Sequence, residues 1–487
     1  MAQGLGAKTL RSFSWAYLGY ILGKSSTFIT TIILARLLTP AQFGIIAFAT
    51  TAIATLDAVR DLGVSLAIIQ RRDRVDEAST TAFWLTLASN LIAWIVLVAV
   101  APSVATFFQE PLINDVLPIL SLTFIINGLG AVHDARLQRE MQFGRRMIPT
   151  LAGSIVKGVV SITLALTGFG VWALVFGQIS GQTTYTGVIW RLTRWHPKLA
   201  FDMALAGELL AFGYKIIIDS TLSMLQTNID YIFIGRLLGE TALGVYTIAY
   251  RVPELIIINM CNVIANVLFP AYASIQEDRP RLRRTLLLAM RYIALVTVPV
   301  GVGLALISPL FVSVFFPPVW AEAGRIMAVL SLYGILIAIT WNIGDIYKAI
   351  DRVDILWKTA VLEFVILAPV LFVLAQDSAF AVAVGHVCVA FVTSVLRLVI
   401  VVRLLGMDIR RIMAQFLSPV AGAALMSILV SLWLSLGHSM PSLVQLTLAV
   451  IVGALAYIGS LWYTERNLVI RVYNWLQRTL TQQEAVA

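Results

Sequence analysis

Twelve charged side chains inside the apolar runs of this 487-residue chain are of types that could do chemistry. At such positions an ionised group costs roughly 3 kcal/mol or more unless it meets a partner or a wet cavity. Lys24, Arg60, Lys157, Lys215, Arg251 and Arg397 are the cations; Asp57, Asp61, Asp219, Asp230, Glu254 and Glu363 are the acids. Asp57, Arg60 and Asp61 are three and four residues apart, and Lys215 with Asp219 and Arg251 with Glu254 repeat that spacing, which puts each group on one helix face. Two readings stay open for them: mutual neutralisation that pins helices together, or a hydrated cavity whose titratable walls carry a proton or sodium ion. Lys24 lies among Ser25, Ser26, Thr27, Thr30 and Thr31 with no acid within helical reach, and Lys157 and Arg397 are also without an acid in their own helices. Their partners must come from other helices or from an anionic ligand, for which Arg offers a planar fork and Lys a point charge. Arg397 and Lys215 can instead snorkel to the interface. His386 is a lone intramembrane imidazole, either a proton relay or a packing residue.

The elements that must position these groups are helices in a bilayer. The chain is 59% hydrophobic and only 13% charged, and apolar runs of bilayer-spanning length recur from Phe13 to Tyr463. Turn residues and charge clusters predict an all-α integral membrane protein with about fourteen spans. The first six are 13–36, 43–69, 81–101, 116–133, 148–167 and 170–190; the others are 210–235, 243–268, 290–314, 325–347, 356–375, 380–402, 413–436 and 443–463. Lys and Arg gather in alternate loops, such as Arg71–Arg74, Arg136–Arg146 and Arg279–Arg291, while Arg36, Arg236 and Arg325 fall on the opposite side. The alternation puts both termini in the cytoplasm. It also explains the net charge of +9 without invoking nucleic acid. The first run follows Lys8 and Arg11 without a convincing cleavage site and is expected to be retained. Cys261 and Cys388 both sit in apolar runs, so no disulfide framework, metal centre or cofactor is expected. Trp84, Trp94, Trp172, Trp190, Trp195, Trp320 and Trp462 lie near span ends, as interfacial anchors do.

An internal repeat organises the spans. Ala35-Arg36-Leu37-Leu38-Thr39-Pro40-Ala41-Gln42-Phe43-Gly44 returns without a gap, 200 residues on, as Gly235-Arg236-Leu237-Leu238-Gly239-Glu240-Thr241-Ala242-Leu243-Gly244. Each copy joins the first helix of a six-helix set to the second. Because six is even, the two sets enter the membrane alike, as a parallel repeat about an axis along the membrane normal. Two pseudo-symmetric lobes around a central cavity are expected at 1–200 and 201–405, with a further helix pair and cytoplasmic tail at 406–487.

The Arg-Leu-Leu turn followed by Gly, with Asn228-Ile229-Asp230 before its second copy and Asn266-Val267-Leu268-Phe269-Pro270 after it, resembles the polysaccharide exporters of the MOP superfamily, in particular Wzx flippases of the WzxC-like group. The resemblance runs from about Leu10 to Arg466 and implies alternating access that moves an undecaprenyl-diphosphate-linked repeat unit between leaflets of a bacterial inner membrane. It implies a lipid-linked oligosaccharide as substrate, membrane lipids as surroundings, and polysaccharide polymerase and export machinery as partners. The related lipid II flippases hold cavity cations in their first and eighth helices, which Lys24 and Arg251 occupy here; Ser25 stands where those flippases have an acid. A diphosphate would satisfy Lys24 and Arg251 first, with Lys157 and Arg60 as further candidates. Asn228, Asn259, Asn262 and Asn266 would suit sugar hydroxyls or serve as glue between helices. Sugar contact or coupling then falls to Asn228, Asn259 and Asn262 with Asp57, Asp61, Lys215, Asp219, Asp230 and Glu254.

Two other functions share some of these features. A cation-coupled exporter of small amphipathic drugs would also use intramembrane acids, and the six-to-six balance of charges does not separate it from a flippase. A membrane polysaccharide polymerase or ligase would need a sizeable external loop, and the external loops, around Glu110 and Gly437 to Pro441, are short. No nucleotide-binding loop, paired loop carboxylates or Ser/His/Asp arrangement is visible, so the chain reads as a transporter rather than an enzyme.

Overall fold

The computed structural model describes residues 23–466 except 61, 72, 141, 259, 262, 263, 265–267, 269, 270 and 438, and leaves the side chains of 58, 59, 143 and 212–223 undescribed. Among the described residues every regular element is helical. Ten helices among the described residues are long and apolar enough to cross a membrane. Asp61, Asn259, Asn262 and Asn266 lie outside the described residues, as do the side chains of Lys215 and Asp219.

Two compact units emerge. One ends at Thr247 and takes in Ala375–Ala379; the other comprises Ile248–Leu374 and continues from Phe380. In the first unit, α1 covers 23–37, α2 Pro40–Arg60, α3 Val64–Gln70, α4 Val75–Phe108, α5 Ile113–Leu120, α6 Leu122–Arg139, α7 Phe143–Leu166 and α8 Val171–Leu192. Helix α9, Met203–Pro253, runs on across the unit boundary. The expected span 43–69 is broken. Leu62 and Gly63 both have positive φ, at 52° and 66°, which ends α2 and restarts the chain as α3. A non-glycine residue in that region is uncommon, so the break is an enforced turn. Span 81–101 grows to the 34 residues of α4, whose extra turns carry Asp76 and Glu77 at the start and Phe107 and Phe108 at the end. Such a length suits a tilted helix.

The start of α2 follows directly from sequence. Thr39 and Gln42 form a reciprocal cap, Thr39 N–H to Gln42 Oε1 at 3.0 Å and Gln42 N–H to Thr39 Oγ1 at 3.4 Å, with Pro40 at the first helical position. The repeat replaces Thr39 by Gly239, which takes φ 85° and ψ −176° and interrupts α9. Only glycine enters that region without strain.

In the second unit a π-turn, Glu254–Ile258, follows Pro253. Proline supplies no N–H and displaces the backbone ladder, the usual origin of such bulges. The helices beyond are α10 Arg279–Phe315, α11 Ala321–Ala349, α12 Val353–Leu374, α13 Ala379–Leu405, α14 Ile409–Leu436 and α15 Ser442–Thr464. Helix α10 is the hub, packed against α11, α14 and α15. Tyr457 of α15 donates to the Leu295 carbonyl of α10 at 2.8 Å. Trp320, expected at the interface, is wholly buried ahead of α11.

Candidate transport site

Arg60 closes α2, and all its nitrogens are engaged. Nε donates to Asp57 one turn back, and Nη1 donates to Asn90 Oδ1 of α4 at 3.1 Å. The Asn127 amide of α6, turned oxygen-first, accepts from Nη1 and Nη2 at 3.3 and 3.1 Å. The guanidinium lies 4.8 Å from the centroid of the Phe124 ring. Asn90 is fully buried, and its amide nitrogen donates to the Thr86 carbonyl at 2.8 Å. Arg60 therefore clamps α2 to α4 and α6, using the fork that suits planar acceptors. Asp57, by contrast, is half exposed beside it. The Asp57–Arg60 spacing was legible in sequence; Asn90 and Asn127, 30 and 67 residues away, gave no signal.

Lys24 is partly buried on α1, close to where Gly23 packs toward Thr150 and Ser154 of α7. Gly158 of α7 lies against Thr30, again bringing α1 onto α7. Lys157 extends from α7 to the Gln178 side-chain oxygen of α8, where Gly153, Gly177 and Gly181 let the two helices approach closely. Asp230 is buried; its carboxylate accepts from the Tyr246 hydroxyl at 2.8 Å and from the Tyr231 N–H at 2.9 Å. It fastens α9 across its Gly239 break. Asn228 bonds back to the Met224 carbonyl of its own helix at 2.9 Å.

In the second unit Arg251 and Glu254 form the expected pair, 3.5 Å apart, with Arg251 the more exposed. Pro253 and the π-turn fall between and after them, so both side chains leave a helix whose register is changing. Arg397, without an acid in its own helix, meets Glu363 of α12, joining α12 to α13. His386 is buried with its ring centroid 4.5 Å from that of Tyr333.

Each unit holds a cavity among the described residues. One, of about 500 Å³, is lined in the first unit by Arg74, Arg194, His196, Lys198, Glu77 and Asp202 among others. Asp202 caps α9 through the Ala204 and Leu205 N–H groups at 2.9 and 3.2 Å and takes Arg74 at 2.9 Å. The Leu205 amide and then Arg74 hold its carboxyl below the ordinary 3.8, while Glu77 and then Asp202 push Arg74 up. The other cavity, of about 430 Å³, lies in the second unit between Ile256 and helices α10, α14 and α15. Its lining includes Pro299, Leu304, Met426, Val450, Tyr457 and Ile458 and is almost wholly apolar. No single helix pattern announces it, because its walls combine α10 with the α14–α15 pair that comes much later in the chain. Among the described residues no cluster of three or more His, Cys, Asp or Glu could hold a metal.

Ten long apolar helices among the described residues, with charged groups held inside them, define a multi-pass membrane protein. Residues 33–325 match the family described as polysaccharide biosynthesis protein, and the chain belongs to that family. It is 25% identical to the lipopolysaccharide biosynthesis protein WzxC of Escherichia coli (strain K12), over 91% of this chain and 87% of that one. It is 26% identical to the succinoglycan biosynthesis transport protein ExoT of Rhizobium meliloti (strain 1021), over 97% and 96%. Its fold is similar to that of the lipid II flippase MurJ in an inward closed conformation, with TM-score 0.76 at 16% identity, over 94% of this chain and 99% of that one. A multidrug MATE transporter of the MOP superfamily in an inward-facing conformation is also similar, with TM-score 0.66 at 17% identity, over 79% and 94%. The resemblance read from the Arg-Leu-Leu repeat is thereby confirmed.

Proposed function

We propose that the protein flips undecaprenyl-diphosphate-linked oligosaccharide repeat units from the cytoplasmic to the periplasmic leaflet of a bacterial inner membrane, by alternating access, for surface polysaccharide biosynthesis. The observation that carries this reading is similarity over nearly the whole chain to relatives named for polysaccharide biosynthesis and transport, on a fold shared with a lipid II flippase. Fourteen spans grouped six, six and two, at 1–200, 201–405 and 406–487, with both termini cytoplasmic, agree with the Lys and Arg distribution. A polysaccharide polymerase and export machinery would take over the flipped product.

The substrate has three chemical parts, and the chain has groups suited to each. Lys24 and Arg251 serve the diphosphate, with Lys157 behind them. Arg60, already saturated by Asp57, Asn90 and Asn127, acts on substrate only by opening that cluster. The apolar cavity between α10, α14 and α15 suits the polyprenyl chain. Asn228, Asn259 and Asn262 suit sugar hydroxyls, while Asp57, Asp61, Lys215, Asp219, Asp230 and Glu254 are the coupling candidates. Lipid extracts from host cells depleted of the protein test the proposal by mass spectrometry. Undecaprenyl-diphosphate oligosaccharide should accumulate facing the cytoplasm. Accumulation on the periplasmic face would indicate a polymerase or ligase instead, and no accumulation would indicate a small-solute exporter.

A further inference from the structure

Seven arginines gather at one end of the second unit, and the transport reading gives them no role. Arg279, Arg281, Arg283 and Arg284 open α10, while Arg403 closes α13 and Arg410 and Arg411 open α14. All but Arg283 are exposed. Packing brings the two groups together. Arg279 Nη1 donates to the Leu404 carbonyl at 3.1 Å, and Arg283 Nη2 lies 3.2 Å from where a Cβ on Gly406 would fall. Leu282 and Leu286 of α10, Val401 and Leu405 of α13 and Ile412 of α14 share one apolar core.

Such a cluster repels itself unless anions intervene. Only Glu277, Asp278 and Asp408 lie in the same two stretches of chain, and the last two are turned to the backbone. Asp278 accepts from the Arg281 N–H at 3.0 Å and Asp408 from the Arg410 N–H at 2.9 Å, capping α10 and α14. Among the described residues none of the seven guanidinium groups forms an ion pair. Arg283 Nε is buried with no acceptor, which marks the cluster as short of anionic oxygen. Membrane topology asks for cations in each loop, but it does not ask that two loops 125 residues apart touch.

The helices that carry these arginines continue as exposed apolar stripes. On α10, Arg284 is followed at every fourth residue by Leu288, Tyr292 and Val296, exposed at 43%, 48% and 47%. On α14, Arg410 is followed at spacings of three, four and three by Met413, Leu417 and Val420, at 56%, 73% and 53%. Residues so spaced share a helix face. Cations at the end of an apolar track match the profile of a phospholipid, and basic pockets between transmembrane helices are where anionic headgroups bind. The planar guanidinium fork suits phosphate oxygens. We propose that this cluster binds the headgroup of an anionic phospholipid, whose phosphate bridges Arg281 and Arg284 of α10 to Arg403, Arg410 and Arg411 at the α13–α14 turn. The acyl chains lie along the exposed stripes. A lipid held there fastens the α14–α15 pair to α10, the hub of the unit.

The test uses the purified full-length protein in detergent doped with phosphatidylglycerol or phosphatidylcholine. Retained lipid is counted by native mass spectrometry, and unfolding is followed by tryptophan fluorescence. Phosphatidylglycerol should be retained and should raise the melting temperature saturably, while phosphatidylcholine does neither. A cation close to an anionic surface is worth roughly fivefold in affinity, so Arg284→Gln combined with Arg410→Gln should weaken phosphatidylglycerol retention at least about tenfold. Arg145→Gln combined with Arg191→Gln removes two exposed cations of the first unit and should retain as much lipid as the unmutated protein. Equal retention of the two lipids by the unmutated protein would overturn the site without any variant having to fold. So would equal losses in the two double variants, which would make the attraction a matter of net charge. Stabilisation by inorganic phosphate or diphosphate as strong as that by phosphatidylglycerol would replace the lipid by a free anion and overturn the proposal as well.

Discussion

Gly44 and Gly244, equivalent positions of the internal repeat, are each packed against the start of the other copy. A Cβ on Gly44 would fall 1.8 Å from the Glu240 carbonyl oxygen, and one on Gly244 would fall 1.9 Å from the Pro40 carbonyl oxygen. Positions 40 and 240 are themselves equivalent, so the contact is reciprocal, as at an interface related by a twofold axis. Gly235 extends it: its missing side chain admits the Phe48 ring, 2.4 Å from where a Cβ would lie, and Phe48 stacks on Phe108 at 4.4 Å. The repeat is therefore a contact between two helix starts as well as a turn that occurs twice.

Gly44→Ala and Gly244→Ala should each be poorly tolerated, because the obstructing atoms are backbone and cannot swing aside. Each should lower the melting temperature in detergent and reduce export. Gly187→Ala, with nothing near its Cβ position, is the control and should leave both unchanged. Equal melting temperatures for Gly44→Ala and Gly187→Ala would show that the crossing can relax.

Arg60→Ala removes a clamp and strands Asn90 and Asn127, so a loss of about 2 kcal/mol is expected from unfolding in detergent. Arg60→Lys keeps the charge but loses the fork and should recover little of that stability. Asp57→Asn should cost much less, since Asp57 is half exposed. A full rescue by lysine would mean that charge, and not geometry, is what α4 and α6 need.

The sequence made the helices and the pairs within them legible, and for a physical reason: residues three or four apart meet whatever the fold does. Arg251–Glu254 and Asp57–Arg60 are found as expected. Partners from other helices were invisible, because their separation in sequence carries no geometric information. Arg397 gained Glu363 and Lys157 gained Gln178 in this way, and Asp230 gained Tyr246 from beyond the Gly239 break of its own helix. The break of span 43–69 is not legible because a lone Gly63 inside an apolar run is tolerated by a helix, and Leu62 beside it is not a residue type that marks a turn. Trp320 lies near a span end, as an anchor would, yet its ring packs on Phe316 at 6.4 Å instead of facing lipid.

Lys24→Ala and Arg251→Ala should each abolish export while leaving membrane insertion and yield intact, since neither is fully buried and the diphosphate role proposed for each needs a positive charge. Charge-conserving Lys24→Arg and Arg251→Lys should retain part of the activity. The check is the amount of surface polysaccharide together with membrane-fraction immunoblots. Normal export by both alanine variants would remove these residues from the diphosphate site.

Asp202 gives a pH dependence whose sign is fixed. Its folded pKa is depressed by the Leu205 amide and Arg74, so its contribution to stability is present above the ordinary 3.8 and lost as pH falls through the lower folded value. Asp202→Ala should therefore melt earlier than the unmutated protein at pH 7, and the gap should narrow as the pH drops below 3.8. A gap that stays constant with pH would assign the loss to packing instead of to the ionised cap.

The apolar cavity of the second unit allows the polyprenyl part of the proposed substrate to be tested apart from the diphosphate. Ala454 lines it from α15 and is exposed, so Ala454→Trp should fill space without displacing core side chains. A tryptophan indole occupies a substantial part of about 430 Å³ while leaving the lining apolar. Export should fall, the melting temperature should stay level or rise, and the lipid-linked oligosaccharide should accumulate on the cytoplasmic side as it does on depletion. Ala454→Val, which adds little volume, should behave as the unmutated protein. If Ala454→Trp exports normally, the chain of the lipid takes another route, and the cavity is a packing defect between α10, α14 and α15 instead of part of the transport path.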